Sequence, residues 1–178
     1  LVHRLVESGH RVRVFDNAFR GRASRLDAVA GDVEIITGDI RNVDAVTNAA
    51  RGIDAIYHLA FINGTEHFYA SPLLVLEVGV KGIMNVIDAC LDKGIKRCVA
   101  LSTDKASNPI NLYGATKLAS DKMFVAGNSY SGSSKCKFAV VRYGNVMGSR
   151  GSVIPFFLSK QKDGYFPITD RRMTRFMI

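Results

Sequence analysis

Tyr113 and Lys117 stand four residues apart. On a helix that spacing puts both side chains on one face, where they can meet at one site. A tyrosine with an unperturbed pKa of ~10 is a poor base at neutral pH. An ammonium beside it stabilises phenolate and lowers that value, as general-base chemistry requires. The same lysine can also donate to a ribose hydroxyl. Tyr-x-x-x-Lys alone recurs by chance on many helices. Here it comes one loop after Leu101-Ser102-Thr103-Asp104-Lys105, so a strand delivers a hydroxyl, a carboxylate and a second ammonium close to the pair.

The surrounding pattern supplies elements able to hold these groups. Leu1, Val2, Leu5 and Val6 have helical spacing, with Gly9 as a left-handed cap. Val12–Phe15 reads as a short buried strand closing at Asp16-Asn17, followed by a loop with Arg20-Gly21-Arg22 and a helical stretch around Ser24–Ala30. Val33–Thr37 is a second strand, Val43–Ala50 an amphipathic helix and Ile53–Ala60 a third strand. Phe61–His67 reads as a loop, and Pro72 opens one long helix to about Asp92. Arg97–Leu101 and Phe138–Val141 are strands, and Asn111–Asn128 and Val153–Lys162 are helices. Alternation of this kind predicts an α/β fold, a doubly wound parallel sheet covered on both faces. In such sheets ligands lie at the carboxyl ends of the strands.

Those ends carry further candidates. Asp16 can accept hydrogen bonds from adenosine ribose hydroxyls, which favours NAD over NADP, or it can simply form the turn. Arg20 and Arg22 leave a 2′-phosphate, and so NADP, open. Asp39 can meet an adenine amino group while Ile40 packs on the ring, and Asp39 can also cap the next helix. His58, inside an apolar strand, reads as a neutral core histidine rather than a ligand or base.

Composition narrows the class. The chain has 178 residues, 47% hydrophobic and 22% charged, with a formal net charge of +8. That is enough apolar content for a core and excludes disorder. No apolar run approaches the ~20 residues of a membrane span. Three cysteines without C-x-x-C spacing exclude a disulfide scaffold and a zinc ribbon, so no metal is expected and a cytoplasmic setting is favoured. Residues 1–89 hold 9 basic and 11 acidic side chains, and residues 90–178 hold 15 and 5. The basic half lacks a base-reading stripe, so a phosphorylated small molecule is expected in preference to nucleic acid.

Three stretches now identify a family. LSTDKASNPINLYGATKLASDKMF (101–124), VVRYGNVMGSRGSVIPFF (140–157) and PITDRRMTRFMI (167–178) resemble inverting UDP-N-acetylglucosamine 4,6-dehydratases and related polysaccharide-biosynthesis proteins. These belong to the extended short-chain dehydrogenase/reductase superfamily, with its NAD(P)-binding Rossmann fold. VFDN, GDIRN and IDAIYHLA resemble the superfamily more loosely.

The resemblance implies a catalytic set of Thr103, Asp104, Lys105, Tyr113 and Lys117. Tyr113 would act as base while sugar C4 is oxidised to a ketone. Lys105 would remove the C5 proton and Asp104 would help the C6 hydroxyl leave, before hydride returns to C6. These roles predict an Asp104 pKa raised by burial and a Lys105 pKa lowered by it, with Thr103 bonding the C4 oxygen. A charged surface turn is the alternative for Asp104-Lys105. NAD or NADP would be held by Asp16, Asn17, Asp39, Ile40, Leu59, Ala60, Tyr113 and Lys117. A UDP-sugar would be met by Asn145, Arg150 and Arg175, the two arginines being otherwise surface charges. A homo-oligomer is compatible with all of this.

The sequence also departs from the family. No glycine-rich turn precedes the first helix, so residues 1–150 are expected to be an incomplete dinucleotide-binding domain and 151–178 the start of a substrate-binding region. Gly79 stands where relatives usually carry Asn, and the 61–67 loop lacks the lysine usual in the dehydratase branch. A UDP-sugar 4-epimerase and a non-catalytic nucleotide-sensing or partner-binding module are the alternatives.

Overall fold

A computed structural model describes residues 1–63, 65–149, 152–174 and 177, with only the backbone of Thr65, Glu66 and Ser133. Arg150 and Arg175 lie outside the described residues.

Helix α1 (Val2–Glu7) ends as its glycine predicts. Gly9, at φ +79°, donates to the Val6 carbonyl (2.8 Å), and His10 donates to Leu5 (3.0 Å). Strand β1 (Val12–Asp16) leads through a 3₁₀ segment (Ala23–Asp32) to β2 (Val33–Thr37) and α2 (Val43–Ala49). Strand β3 (Ala55–His58) is followed by α3 (Thr65–Ala70), α4 (Pro72–Leu76) and α5 (Ile83–Asp92). Then come β4 (Arg97–Leu101), α6 (Leu112–Tyr130), β5 (Lys137–Val141) and α7 (Val153–Lys160).

All paired strands are parallel, as the α/β alternation requires. Strand β1 pairs with β2, and β4 pairs with both β3 and β5, so that Cys98 stands opposite Ile56 and Phe138. Among the described residues these three ladders form two sheets, with no ladder joining β1 to β3. Ile35, Tyr57 and Val141 are about half exposed in this chain.

Two helical expectations change. The Phe61–His67 loop gives way at Thr65 to α3, whose Phe68 stacks on Tyr113; a tertiary contact, not periodicity, defines it. The long helix from Pro72 contains a π-helical stretch at Glu77–Gly82. Two glycines account for it, because this stretch passes close to other elements. A Cβ at Gly82 would lie 2.6 Å from the Ile40 side chain, and one at Gly79 would lie 3.1 Å from the Phe61 ring. Such wide turns recur at functional sites.

The core lies where α5 and α6 meet β4 and β5, and it includes Val75, Ile83, Val86, Ile95, Phe124 and Phe138. Cys90, Cys98 and Cys136 are free and fully buried there, with Cys90 beside both of the others. Hydrogen bonding to Cys98 and burial push the Cys90 thiol up, and burial pushes Cys136 up to about 11. Neither is a nucleophile at neutral pH. No described helix is long and apolar enough to cross a membrane. Among the described residues no group of three His, Cys, Asp or Glu side chains could hold a metal ion.

Candidate active site

A cleft of about 940 Å³ runs across the carboxyl ends of all five strands. Its walls include Asp16 and Asn17 after β1, Asp39 and Ile40 after β2, Leu59 and Ala60 after β3, Thr103 and Lys105 after β4, and Asn145 after β5. Tyr113, from the first turn of α6, joins them. Most of the expected site residues therefore share one cavity. Asp104 and Lys117 are not part of its lining; Asp104 bonds to Thr103 and Lys105, which are, and Lys117 lies against the ring of Phe61, which is.

Local chemistry sets the β4 end. Thr103 caps a 3₁₀ turn (Asp104–Ala106): its hydroxyl accepts from the Lys105 N–H (3.4 Å) and donates to Asp104 Oδ1 (3.0 Å). The Asp104 N–H donates to the Tyr143 carbonyl (2.9 Å), tying this turn to the segment after β5. Asn111 caps α6, its Oδ1 accepting from the Gly114 N–H (3.0 Å), which fixes where Tyr113 enters the helix. A Cβ at Gly114 would lie 2.7 Å from the Lys105 carbonyl, so only glycine lets α6 start this close to the turn.

The Tyr113 ring stacks on Phe68 (5.1 Å, 14°) and meets Phe61 edge-on (5.7 Å). Burial, with Tyr143 and Asp104 nearby, pushes its phenol up to about 12 against a lowering hydrogen bond with Thr103. This reverses the downward shift expected from Lys117. The lysine is 6% exposed; its ammonium donates to the Leu101 carbonyl (2.8 Å) and lies 3.8 Å from the centre of the Phe61 ring. Burial pushes Lys117 down to about 8, with Asp121 acting in the opposite direction.

The expected shift at Asp104 is reversed too. Burial is the largest single influence on the Asp104 carboxyl and acts to raise its pKa, although half the side chain is exposed. Hydrogen bonds from Thr103 and Lys105 outweigh burial and hold the carboxyl below its ordinary value. Asp104 and Lys105 form an open ion pair at 3.2 Å.

At the other end of the cleft, Asp16 Oδ1 accepts from the Ala18 N–H (2.6 Å), so the turn-forming reading holds there while the residue still lines the cavity. Asp39 does not cap α2; Asn42 does, its Oδ1 accepting from the Ala45 N–H (3.0 Å). Asp39 instead accepts from Arg41 Nε (3.0 Å), Arg41 Nη2 (2.9 Å) and Asn17 Nδ2 (3.0 Å). Arg41 continues to Glu77 (2.8 Å), so one polar network links the ends of β1 and β2 to the π-helical stretch. The Arg41 hydrogen bonds hold the Asp39 carboxyl down at about 2, from an ordinary 3.8. A depressed carboxylate contributes stability above its unfolded pKa and loses it as pH falls through the folded value. The melting temperature is therefore expected to fall between about pH 4 and pH 2, and Asp39→Asn to flatten that limb in thermal scans at stepped pH.

His58 is buried with Nε2 unpartnered. Burial, then the Lys117 charge, pushes it down to about 3, which makes it the neutral core histidine expected. Two other buried polar atoms without partners, Arg20 Nη1 and Ser152 Oγ, belong to residues lining the cleft. Unspent donors beside a cavity that crosses five strand ends suit an anionic, hydroxyl-rich ligand such as a dinucleotide. Sequence reasoning missed Tyr143, Phe61 and Phe68. Tyr143 follows β5 and the strand-end rule would have found it, whereas Phe68 sits on an unforeseen helix.

Residues 17–178 match the family described as "Polysaccharide biosynthesis protein". Over 143 residues the chain is 51% identical to a UDP-N-acetylglucosamine 4,6-dehydratase (inverting) of Campylobacter jejuni, covering 79% of this chain and 43% of that protein. It is 37% identical over 142 residues to a UDP-glucose 4-epimerase of Rickettsia akari, covering 79% and 42%. Among solved structures, Pen from Bacillus thuringiensis superposes with a TM-score of 0.89 at 33% identity, over 99% of this chain and 56% of that one. The chain thus spans less than half the length of these two curated relatives. Since the family match takes in every strand end after β1 and the whole Thr103–Lys117 segment, the chain belongs to the polysaccharide biosynthesis protein family.

Proposed function

We propose that the full-length protein is a UDP-N-acetylhexosamine 4,6-dehydratase using NAD or NADP. The observation that carries this reading is the contiguous set Thr103, Asp104, Lys105 and Tyr113, a hydroxyl, an acid–base pair and a phenol at one end of a cleft that crosses the strand ends. The 51% identity to the Campylobacter dehydratase supports it. In this reading residues 1–150 are part of a dinucleotide-binding domain and 151–178 begin the substrate region. Asp16, Asn17, Ile40, Leu59 and Ala60 would hold the cofactor, Asp39 supporting Asn17, and Asn145, Arg150 and Arg175 would meet the UDP-sugar. A bound nicotinamide supplies the acceptor and later the donor of hydride.

As phenolate, Tyr113 would take the C4 hydroxyl proton and become phenol, with Thr103 placed to bond the C4 oxygen. Elimination then needs a neutral Lys105 and a protonated Asp104, the inverse of the resting ion pair. Moving one proton from Lys105 to Asp104 across their 3.2 Å contact provides both at once. A sugar closing over the half-exposed pair removes water and favours that neutral form. Lys105 then takes the C5 proton, Asp104 delivers its proton to the C6 oxygen and water leaves; as C6 receives hydride, Lys105 returns a proton to C5 and is recharged by the proton that Tyr113 took from C4.

The test is to incubate the full-length protein with UDP-N-acetylglucosamine and follow product mass. A product lighter by one water is expected. An isomer of unchanged mass with inverted C4 would establish the second reading, a 4-epimerase, which the Rickettsia match favours. If Tyr113→Phe left the protein's biological effect intact, catalysis would not be its role.

A further inference from the structure

Phe61 follows β3 by three residues, and its ring touches both members of the Tyr–Lys pair. Its face lies 3.8 Å from Lys117 Nζ, and its edge meets the Tyr113 ring at 5.7 Å and 76°. The ring lies there because position 79 has no side chain. A Cβ on Gly79 would sit 3.1–3.2 Å from two Phe61 ring atoms and 3.3 Å from Thr116 Cβ on α6. The π-helical stretch thus presents a bare patch of backbone against which Phe61 is pressed between α6 and the cleft.

We propose that Phe61 is a positioning residue for the Tyr113–Lys117 pair, holding the Lys117 ammonium charged and in place through its ring face while its edge fixes the Tyr113 ring. The inference rests on the reading of Tyr113 as the base. A buried ammonium needs compensation, and a desolvated aromatic face provides it without introducing an acceptor that would compete with substrate. The other groups facing Lys117 do not supply a free opposite charge. From β4 comes the Leu101 carbonyl (2.8 Å), and from β3 comes His58, buried and held neutral. From its own helix comes Asp121, which is already paired with Arg142 (2.7 Å). The placement of Lys117 against Phe61 and the Leu101 carbonyl also accounts for its absence from the influences on Tyr113, among which burial is the largest.

The experiment follows Lys117 itself, so that its result is independent of turnover. Full-length protein carrying ¹³C-labelled lysine is titrated by NMR, with Lys117→Arg identifying the resonance. Phe61→Leu keeps an apolar side chain but removes the π face; it is expected to lower the Lys117 pKa by about one unit, a tenfold loss of proton affinity. Phe61→Tyr, which retains the face, is expected to restore it. Gly79→Ala, which pushes on the ring, is expected to shift Lys117 in the same direction in wild type and to have no further effect in the Phe61→Leu background. An unchanged Lys117 pKa in Phe61→Leu overturns the proposal, and so does a rise, which is what water entering the vacated space would produce. If the full-length protein acts on UDP-sugars, an unaltered pH profile of kcat/KM alongside a lowered Lys117 pKa also overturns the positioning role. Absence of any such activity refutes the functional reading instead, and the titration still decides whether Phe61 holds the lysine.

Discussion

Replacing Tyr113 by phenylalanine is expected to lower kcat of the full-length protein by roughly 10²–10⁴-fold, the range that a positioned acid–base group contributes. The substitution removes one oxygen and leaves the ring between Phe68 and Phe61, so UDP-sugar affinity and the melting temperature should change little at neutral pH. A second measurement separates the lost hydroxyl from an altered fold. The wild-type phenol is raised to about 12 by burial, so the folded state holds this proton more tightly than the unfolded chain, whose tyrosine titrates near 10. Stability from this group is complete below about pH 10 and is lost as pH rises toward 12. Tyr113→Phe should abolish that alkaline loss. Turnover within threefold of wild type would remove Tyr113 from the chemistry.

The largest expected effect on stability is at Phe124. Its side chain is fully buried in α6, 5.4 Å from His58 and 6.2 Å from Phe138 between ring centroids. Truncating a buried phenylalanine to alanine costs about 3–5 kcal/mol through lost transfer energy and the cavity left behind. Against a total stability of about 5–15 kcal/mol, Phe124→Ala should move the urea midpoint far enough to leave part of the population unfolded at 37 °C. Phe124 is on the helix that carries Tyr113 and Lys117, so activity should fall in proportion to the folded fraction, with KM unchanged. The opposite pattern, full folding with a collapsed kcat, belongs to Tyr113→Phe. A midpoint shift equivalent to less than about 1 kcal/mol would show that the core closes over the gap.

What the sequence made legible was local. Strands β1, β2 and β4 announce themselves by short apolar runs ending in polar residues, and the strand-end rule then places Asp16, Asp39 and Thr103 at one cleft. Asn111 and Pro72 mark helix starts because capping and proline chemistry act over one turn. What failed depended on distance. Spacing puts Tyr113 and Lys117 on one face, but it cannot show that the ammonium lies over the ring of Phe61, 52 positions before Tyr113 in the chain. The family resemblance implied a buried acid and base at Asp104 and Lys105, whereas their half-exposed side chains form an ion pair open to solvent. The π-helical stretch arises from what packs against Gly79 and Gly82, which no periodicity records.

The three buried thiols give the protein a chemical memory of having opened. Cys90 belongs to α5, Cys98 to β4, and Cys136 to the residue before β5, so the three sulfurs together sample the junction of all these elements. A small alkylating reagent finds none of them in the closed molecule and all of them once that junction parts. A chain that breathes only at its rim stays unmarked. One that has come apart at its centre, even briefly, carries the adducts permanently, and the count of adducts per chain distinguishes a partial excursion from a complete one long after the chain has closed again.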